Sequence, residues 1–214
     1  REALELQIAG MPHNLSRKKR TDAFVSAIND RIHALEKAGK ATLNAFQDQE
    51  RQLMERVFMV ELFYRFKNRF DDLINQQIAA GSAPVKIPFF NDALSAATQR
   101  GFDDDTFRHH FALGFQIRRA FYFIDRNLVG NSPCMKSLRW NLWNNVFTHN
   151  IDLYNRYLRN RMEDFSTLLL GETGTGKGTA AQAIGRSGFI PLDRRRKIFV
   201  ESFTQSFVSL NLSQ

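Results

Sequence analysis

The stretch Leu168-Leu169-Leu170-Gly171-Glu172-Thr173-Gly174-Thr175-Gly176-Lys177-Gly178-Thr179 constrains this chain more than any other. An apolar run ends in a glycine-rich turn and a lysine. Good helix formers follow at Ala180, Ala181, Gln182, Ala183 and Ile184. Strand, loop and helix in that order, with the spacing Gly171-x-x-x-x-Gly176-Lys177, make a phosphate-binding P-loop pattern. The glycines let backbone N–H groups turn inward around phosphate oxygens. The helix that follows directs its positive dipole end to the same place. Lys177 adds a mobile charge for the β- and γ-phosphates. One position departs from the generic motif, which has Ser or Thr directly after the lysine as a Mg²⁺ ligand. Here that place is Gly178, and the hydroxyl comes next, at Thr179. A glycine-rich turn with an incidental lysine is the bland alternative, and the agreement of all three elements argues against it.

The chain has 214 residues, room for one large or two small domains. Its 43% hydrophobic and 24% charged residues fit a globular protein rather than a disordered one. No apolar run approaches the roughly 20 residues of a membrane helix, and no secretory signal opens the chain. A single cysteine, Cys134, excludes an internal disulfide framework and suits a reducing cytoplasm, the expected location. The net charge of +8 favours contact with nucleic acid, or serves solubility. The chain starts at Arg1 and ends soon after the motif, so it is expected to be a fragment of a longer protein.

The residues before the motif read as helical. Residues 1–9 predict a short helix, broken at Gly10-Met11-Pro12. Ser16-Arg17-Lys18-Lys19-Arg20 is a basic run read as a solvated segment. Thr21-Asp22 opens a helix with Phe24, Ile28, Ile32 and Leu35 on one face and Gly39 as its stop. The strongest helical signal spans 41–80, with Met54, Phe58, Leu62, Phe66 and Phe70 every four residues, extended by Leu73 and Ile78. Asn91-Asp92 caps a short helix ending at Arg100-Gly101. Asp103-Asp104-Asp105 opens another, with Phe107, Phe111, Phe115, Phe121 and Ile124 as its apolar positions. Within it, adjacent His109 and His110 point about 100° apart and do not readily share a metal. They read as part of an N-terminal charge cluster.

The pattern changes at Leu128. Ser132 is a good N-cap with Pro133 at the first helical position, and Met135, Leu138, Leu142, Val146 and Phe147 mark a buried face. A second helix is expected over 151–162, with Tyr154 and Leu158 on one face and Arg156, Arg159 and Arg161 on the other. After the motif, Asp193-Arg194-Arg195-Arg196-Lys197 reads as a basic surface loop. Phe207-Val208-Ser209-Leu210-Asn211 alternates and is rich in β formers, so it is expected to be the next strand. The fold expected is therefore an α-helical N-terminal domain over 1–126, a regulatory or interaction module. Over 127–214 it is followed by the start of an α/β P-loop domain with a parallel sheet, mostly α overall.

Three pieces in order resemble one family. Val129-Gly130-Asn131-Ser132-Pro133-Cys134-Met135 is similar to the opening of the AAA+ domain of bacterial sigma-54-dependent transcriptional activators. Leu169 to Lys177 is similar to that family's phosphate loop, including the acidic residue after the first glycine. Phe207 to Asn211 resembles the strand that ends in the family's asparagine. The resemblance covers roughly residues 128–214. It implies an ATPase that assembles into a homo-oligomeric ring, usually a hexamer, and remodels sigma-54 RNA polymerase holoenzyme. DNA contact would come through a domain outside this chain. It implies ATP and Mg²⁺ as cofactors, with Gly171, Glu172, Thr173, Gly174, Thr175, Gly176, Lys177, Gly178 and Thr179 around the triphosphate. Thr179 would reach the metal. Leu128, Val129 and Gly130 would lie near the adenine. Lys177 and Asn211 would be catalytic, the asparagine coupling the catalytic glutamate to nucleotide state. That glutamate, the Walker B acids, the sensors and the arginine finger are not in this chain, so weak ATP binding without hydrolysis is expected of it.

Two features depart from the family. Gly178 stands where it usually has Glu, and the stretch between Met135 and Gly171 is roughly four helical turns longer, with 151–162 as the insertion. Two other readings remain open. The Lys177-Gly178-Thr179 ending is similar to that of adenylate kinase, which suggests a P-loop nucleotide kinase. A helical partner-binding module with a vestigial P-loop is the other.

Overall fold

The computed structural model describes residues 17–210, most of them helical. The expected helix over 1–9, the break after it and Asn211 lie outside the described residues. Compactness divides the chain into two units. One comprises the described residues up to Lys67 together with Phe89–Phe107. The other comprises Asn68–Pro88 and the described residues from Arg108 on.

The first unit is built on α1 (Arg17–Lys37), the first part of α2 (Asp48–Ala80), α3 (Phe90–Gln99) and the start of α4 (Asp104–Ala120). Helix α1 begins before Thr21, because arginine and lysine are themselves good helix formers. Its Ile28 and Ile32 are buried, as their spacing predicts. Helix α2 begins at Asp48 rather than 41. Residues Leu43–Ala45 form a separate 3₁₀ turn, held by Leu43 N–H donating to the Arg100 carbonyl and by Arg51 donating to the Leu43 carbonyl. Phe58 and Phe66 of the four-residue row are buried, and Phe66 stacks on Phe89 with centroids 5.8 Å apart. Arg100 anchors this unit. Its Nη2 donates to Glu36 at 2.8 Å and its Nε to Glu61 at 3.3 Å, while its guanidinium lies 5.3 Å from the Phe58 ring. Asp103 caps α4 by accepting from the Thr106 N–H at 2.8 Å.

In the second unit the apolar row of α2 continues through Phe70, Leu73 and Ile74. Gln77, not Ile78, takes the next buried place. Gln77 donates to the carbonyls of Gly81 and Ala83, which closes the end of α2. Phe111 and Phe115 of α4 pack against Phe70, at 5.0 and 6.0 Å between centroids. Helix α4 passes into a π-helical turn, Phe121–Arg126. Helix α5 (Pro133–Phe147) begins as predicted, with Ser132 Oγ accepting from the Met135 N–H and Pro133 at the first position. Leu142, Val146 and Phe147 form its buried face. Helix α6 (Lys177–Gly185) follows the glycine-rich loop.

Three expectations are corrected here. The expected helix over 151–162 is a short helical turn, Ile151–Leu153, that widens into a π-helical turn, Tyr154–Leu158, and ends in a 3₁₀ turn, Met162–Asp164. The expected parallel sheet is not formed among the described residues. Residues 168–170 and 207–210 are in no strand, and Leu168, Leu170, Val208 and Leu210 are 80%, 84%, 73% and 79% exposed. A parallel strand needs a bonded neighbour and cover on both faces, and these residues have neither, so β propensity alone does not make them strands. The sheet present is an antiparallel pair, β1 (Leu192–Asp193) and β2 (Ile198–Phe199), with Leu192 opposite Phe199 and Asp193 opposite Ile198. The basic run Arg194–Lys197 forms its exposed turn. Phe199 stacks on Phe115 at 4.1 Å, which fixes the pair to α4. No described helix is long and apolar enough to cross a membrane.

Candidate functional site

The loop before α6 has the backbone its glycines predict. Gly171, Gly174 and Gly176 have φ of 156°, 85° and 88°, a region that residues with a Cβ rarely enter. A Cβ on Gly174 or Gly176 would meet open space, so conformation rather than crowding asks for glycine there. Thr175 closes the turn by donating its hydroxyl to the Glu172 carbonyl at 2.7 Å. Lys177 reaches back over the loop, and its Nζ donates to the carbonyls of Gly171 at 2.8 Å and Glu172 at 2.7 Å. An anion entering the loop competes with these carbonyls for the ammonium.

Helix α6 starts at Lys177, and no side chain caps it. The first N–H groups of any helix lack intrahelical partners, so those of Lys177, Gly178 and Thr179 face the loop with the dipole behind them. Glu172, Thr173, Gly178 and Thr179 are exposed. Gly178 has room for a side chain, with nothing within 4 Å of an added Cβ.

Residues 128–130 are held independently. Leu128 is buried and Val129 exposed. Arg139 of α5 donates to the carbonyls of Leu128 and Gly130, both at 2.7 Å. The elements on either side of this segment, the π turn 121–126 and α5, both pack against α6. No hydrogen bond joins 128–130 to the loop among the described residues. His109 is not in a metal cluster, and no such group of ligands occurs among the described residues. Nor does it carry charge within a helix-terminal cluster. It accepts from Arg159 and lies 6.0 Å from the Phe189 ring. Burial, then the Arg159 charge, lower its pKa from 6.5 to about 4.

The far end of α6 was not foreseen from the sequence. Arg119 and Gln116 of α4 are completely buried. Arg119 donates to the carbonyl of Arg186 at 2.9 Å and to that of Gly188 at 2.6 Å. Gln116 donates to the carbonyl between them, on Ser187, at 2.9 Å, and to the Tyr154 hydroxyl at 2.6 Å. Ser206 takes the Gly185 carbonyl, and the Ser187 hydroxyl takes that of Ala183. Gly185 sits under Phe207, whose ring would lie 3.1 Å from an added Cβ. The sequence did hold a signal. Phe107, Phe111, Phe115, Arg119 and Phe123 recur every four residues, so Arg119 interrupts a phenylalanine row.

No family model, curated protein or solved structure matches the chain.

Proposed function

We propose that residues 171–179 bind the phosphates of ATP, and that the chain belongs to a sigma-54-activator-like AAA+ ATPase. The observation that carries this reading is the loop itself. Three left-handed glycines lead into an uncapped helix N-terminus, with Lys177 folded over the turn. These features fit a polyphosphate. Lys177 would leave the Gly171 and Glu172 carbonyls for the β- and γ-phosphates. The N–H groups of Gly176 to Thr179 would hold phosphate oxygens. Thr179 would approach Mg²⁺ from the second place after the lysine, and Leu128, Val129 and Gly130 would border the base. When bound in the whole assembly, Mg·ATP would supply the phosphoryl bond whose cleavage drives remodelling. In a cytoplasmic ring assembly, with Asn211 completing the sensing of nucleotide state, the substrate of that remodelling would be sigma-54 RNA polymerase holoenzyme.

The test is equilibrium binding of a fluorescent ATP analogue with Mg²⁺ to the chain and to Lys177→Ala. The variant is expected to unfold within about 0.5 kcal/mol of the parent, since its side chain bonds only exposed loop carbonyls. Its affinity should fall at least about tenfold, the worth of one charge-assisted contact. Equal binding by the two proteins, or none by the parent, overturns the reading.

A further inference from the structure

We infer that Gln116 and Arg119 are positioning residues for the phosphate loop, and that occupancy of the loop and the packing of α4 are coupled through α6. This rests on the phosphate-binding reading above. Helix α6 has nine residues, a rod of roughly 13 Å. Its two ends are held very differently. At the N-terminus no side chain caps it and Gly178 and Thr179 are exposed. At the C-terminus, the carbonyls of residues 185 to 188 each accept a side-chain hydrogen bond. Three of these four come from Gln116 and Arg119, three residues apart on one face of α4. With α5 and the π turn packed along the side of the rod, the position of the N–H groups at the loop is thus set in part from its opposite end.

Packing alone does not ask for this arrangement. Arg119 is fully buried, yet no carboxylate bonds it among the described residues. Its Nε and the Oε1 of Gln116 are buried without a partner. An apolar side chain would avoid those two costs, though it would leave the carbonyls of Arg186 and Gly188 without these donors. What the polar pair adds is direction. Two guanidinium donors and one amide fit a particular run of carbonyls, and a shift of α4 along α6 breaks all three bonds together. Coupling between two sites is reciprocal. A nucleotide that fixes the loop must then steady α4, and a ligand or partner that displaces α4 must weaken nucleotide binding.

Hydrogen exchange and binding of the fluorescent ATP analogue with Mg²⁺, on the whole chain, test this. Variants are Arg119→Met, Arg119→Lys and the milder Gln116→Met, each checked for fold by circular dichroism. In the parent, the analogue should slow exchange at amides 113–120 as well as at 171–180. Folded Arg119→Met should bind about tenfold more weakly, within the usual range of coupling, and should lose the protection of 113–120. Arg119→Lys, which keeps a donor, should recover part of both. Parent-like affinity in Arg119→Met, or no protection of 113–120 in the parent, overturns the inference. If Arg119→Met does not fold, the same outcomes are read from Gln116→Met. If the parent binds no analogue, the phosphate reading fails by itself. Exchange of the ligand-free loop then decides the positioning role: faster exchange at 171–180 in the variants upholds it, and unchanged exchange overturns it.

Discussion

Arg100 and Arg119 are both buried, one in each unit, and their charges are met in different ways. Arg100 has two carboxylates, Glu36 and Glu61, and a ring face on Phe58. Arg119 has no hydrogen-bonded carboxylate among the described residues, although the charge of Glu201 acts on it from further away. Its charge rests on the carbonyls that end α6 and on the faces of Phe115 and Phe203, at 4.9 and 5.5 Å. Burial lowers its pKa to about 9, so it remains a cation at neutral pH. The carbonyl end of a helix is a fractional negative pole. The contrast teaches that a buried cation can be matched by formal charge, which holds a unit together, or by oriented dipoles, which fix where a helix lies.

Breaking each arginine sharpens that contrast. Arg100→Met should cost the most, about 3–5 kcal/mol, because the largely buried Glu61 keeps only its longer 3.9 Å contact with Arg65. Arg119→Met leaves neutral carbonyls behind and should cost less, about 2–3 kcal/mol. Urea unfolding of the two variants ranks them, and an equal or reversed ranking would show that helix-end carbonyls depend on their cation as much as carboxylates do.

Acid should separate the two further. The bond from Arg100 is the largest influence holding the Glu36 carboxyl below its ordinary 4.5. A carboxylate depressed in the folded state lends stability above its unfolded value and loses it as pH falls through the folded value. The penalty of Arg100→Met should therefore shrink below pH 4.5, while that of Arg119→Met, whose hydrogen-bonded carbonyls do not titrate, should change less. Unfolding curves at pH 6 and pH 3.5 check this.

His109 offers a smaller version, a neutral base facing a cation. Its folded pKa of about 4 lies under the ordinary 6.5, so the unfolded chain binds its proton first. Stability should fall as pH drops from 6.5 towards 4 and level off below. His109→Gln should flatten that slope, and an unchanged slope would assign it to other groups. The smallest effect belongs to the bare end of α6. Gly178→Ala has free space and should raise stability by up to about 1 kcal/mol in thermal melts. A loss there would mean that the first turn needs the freedom of glycine.

How much of this was legible follows the range of the interactions. Local rules found the Ser132–Pro133 start of α5, the Asp103 cap and the glycine loop, because each is settled within a few residues. The Phe58–Phe66–Phe70 row was legible from period alone. Leu168–Leu170 and Phe207–Leu210 have the composition of strands, but a strand is completed by a neighbour, and neither stretch has one. The hairpin at 192–199 was hidden because its turn, Arg194 to Lys197, reads simply as charge. Tyr154 and Arg159 read in the sequence as two faces of a regular amphipathic helix. Their partners, Gln116 and His109, lie 38 and 50 residues away in the chain. The Arg119 clamp was visible only as an arginine in a phenylalanine row, and its carbonyl partners have no signature in side-chain identity.

The tight seat of Gly185 has a consequence for how this sequence can drift. A methyl group there would press into Phe207 and the Ser206 carbonyl, while seven residues earlier Gly178 faces empty space. In a saturation library selected for folding, position 185 should accept fewer residues than position 178, since any side chain there asks Phe207 and Ser206 to give way. The short helix would then carry its history unevenly, more constrained where Ser206 and Phe207 close over it and freer to vary where a ligand would arrive.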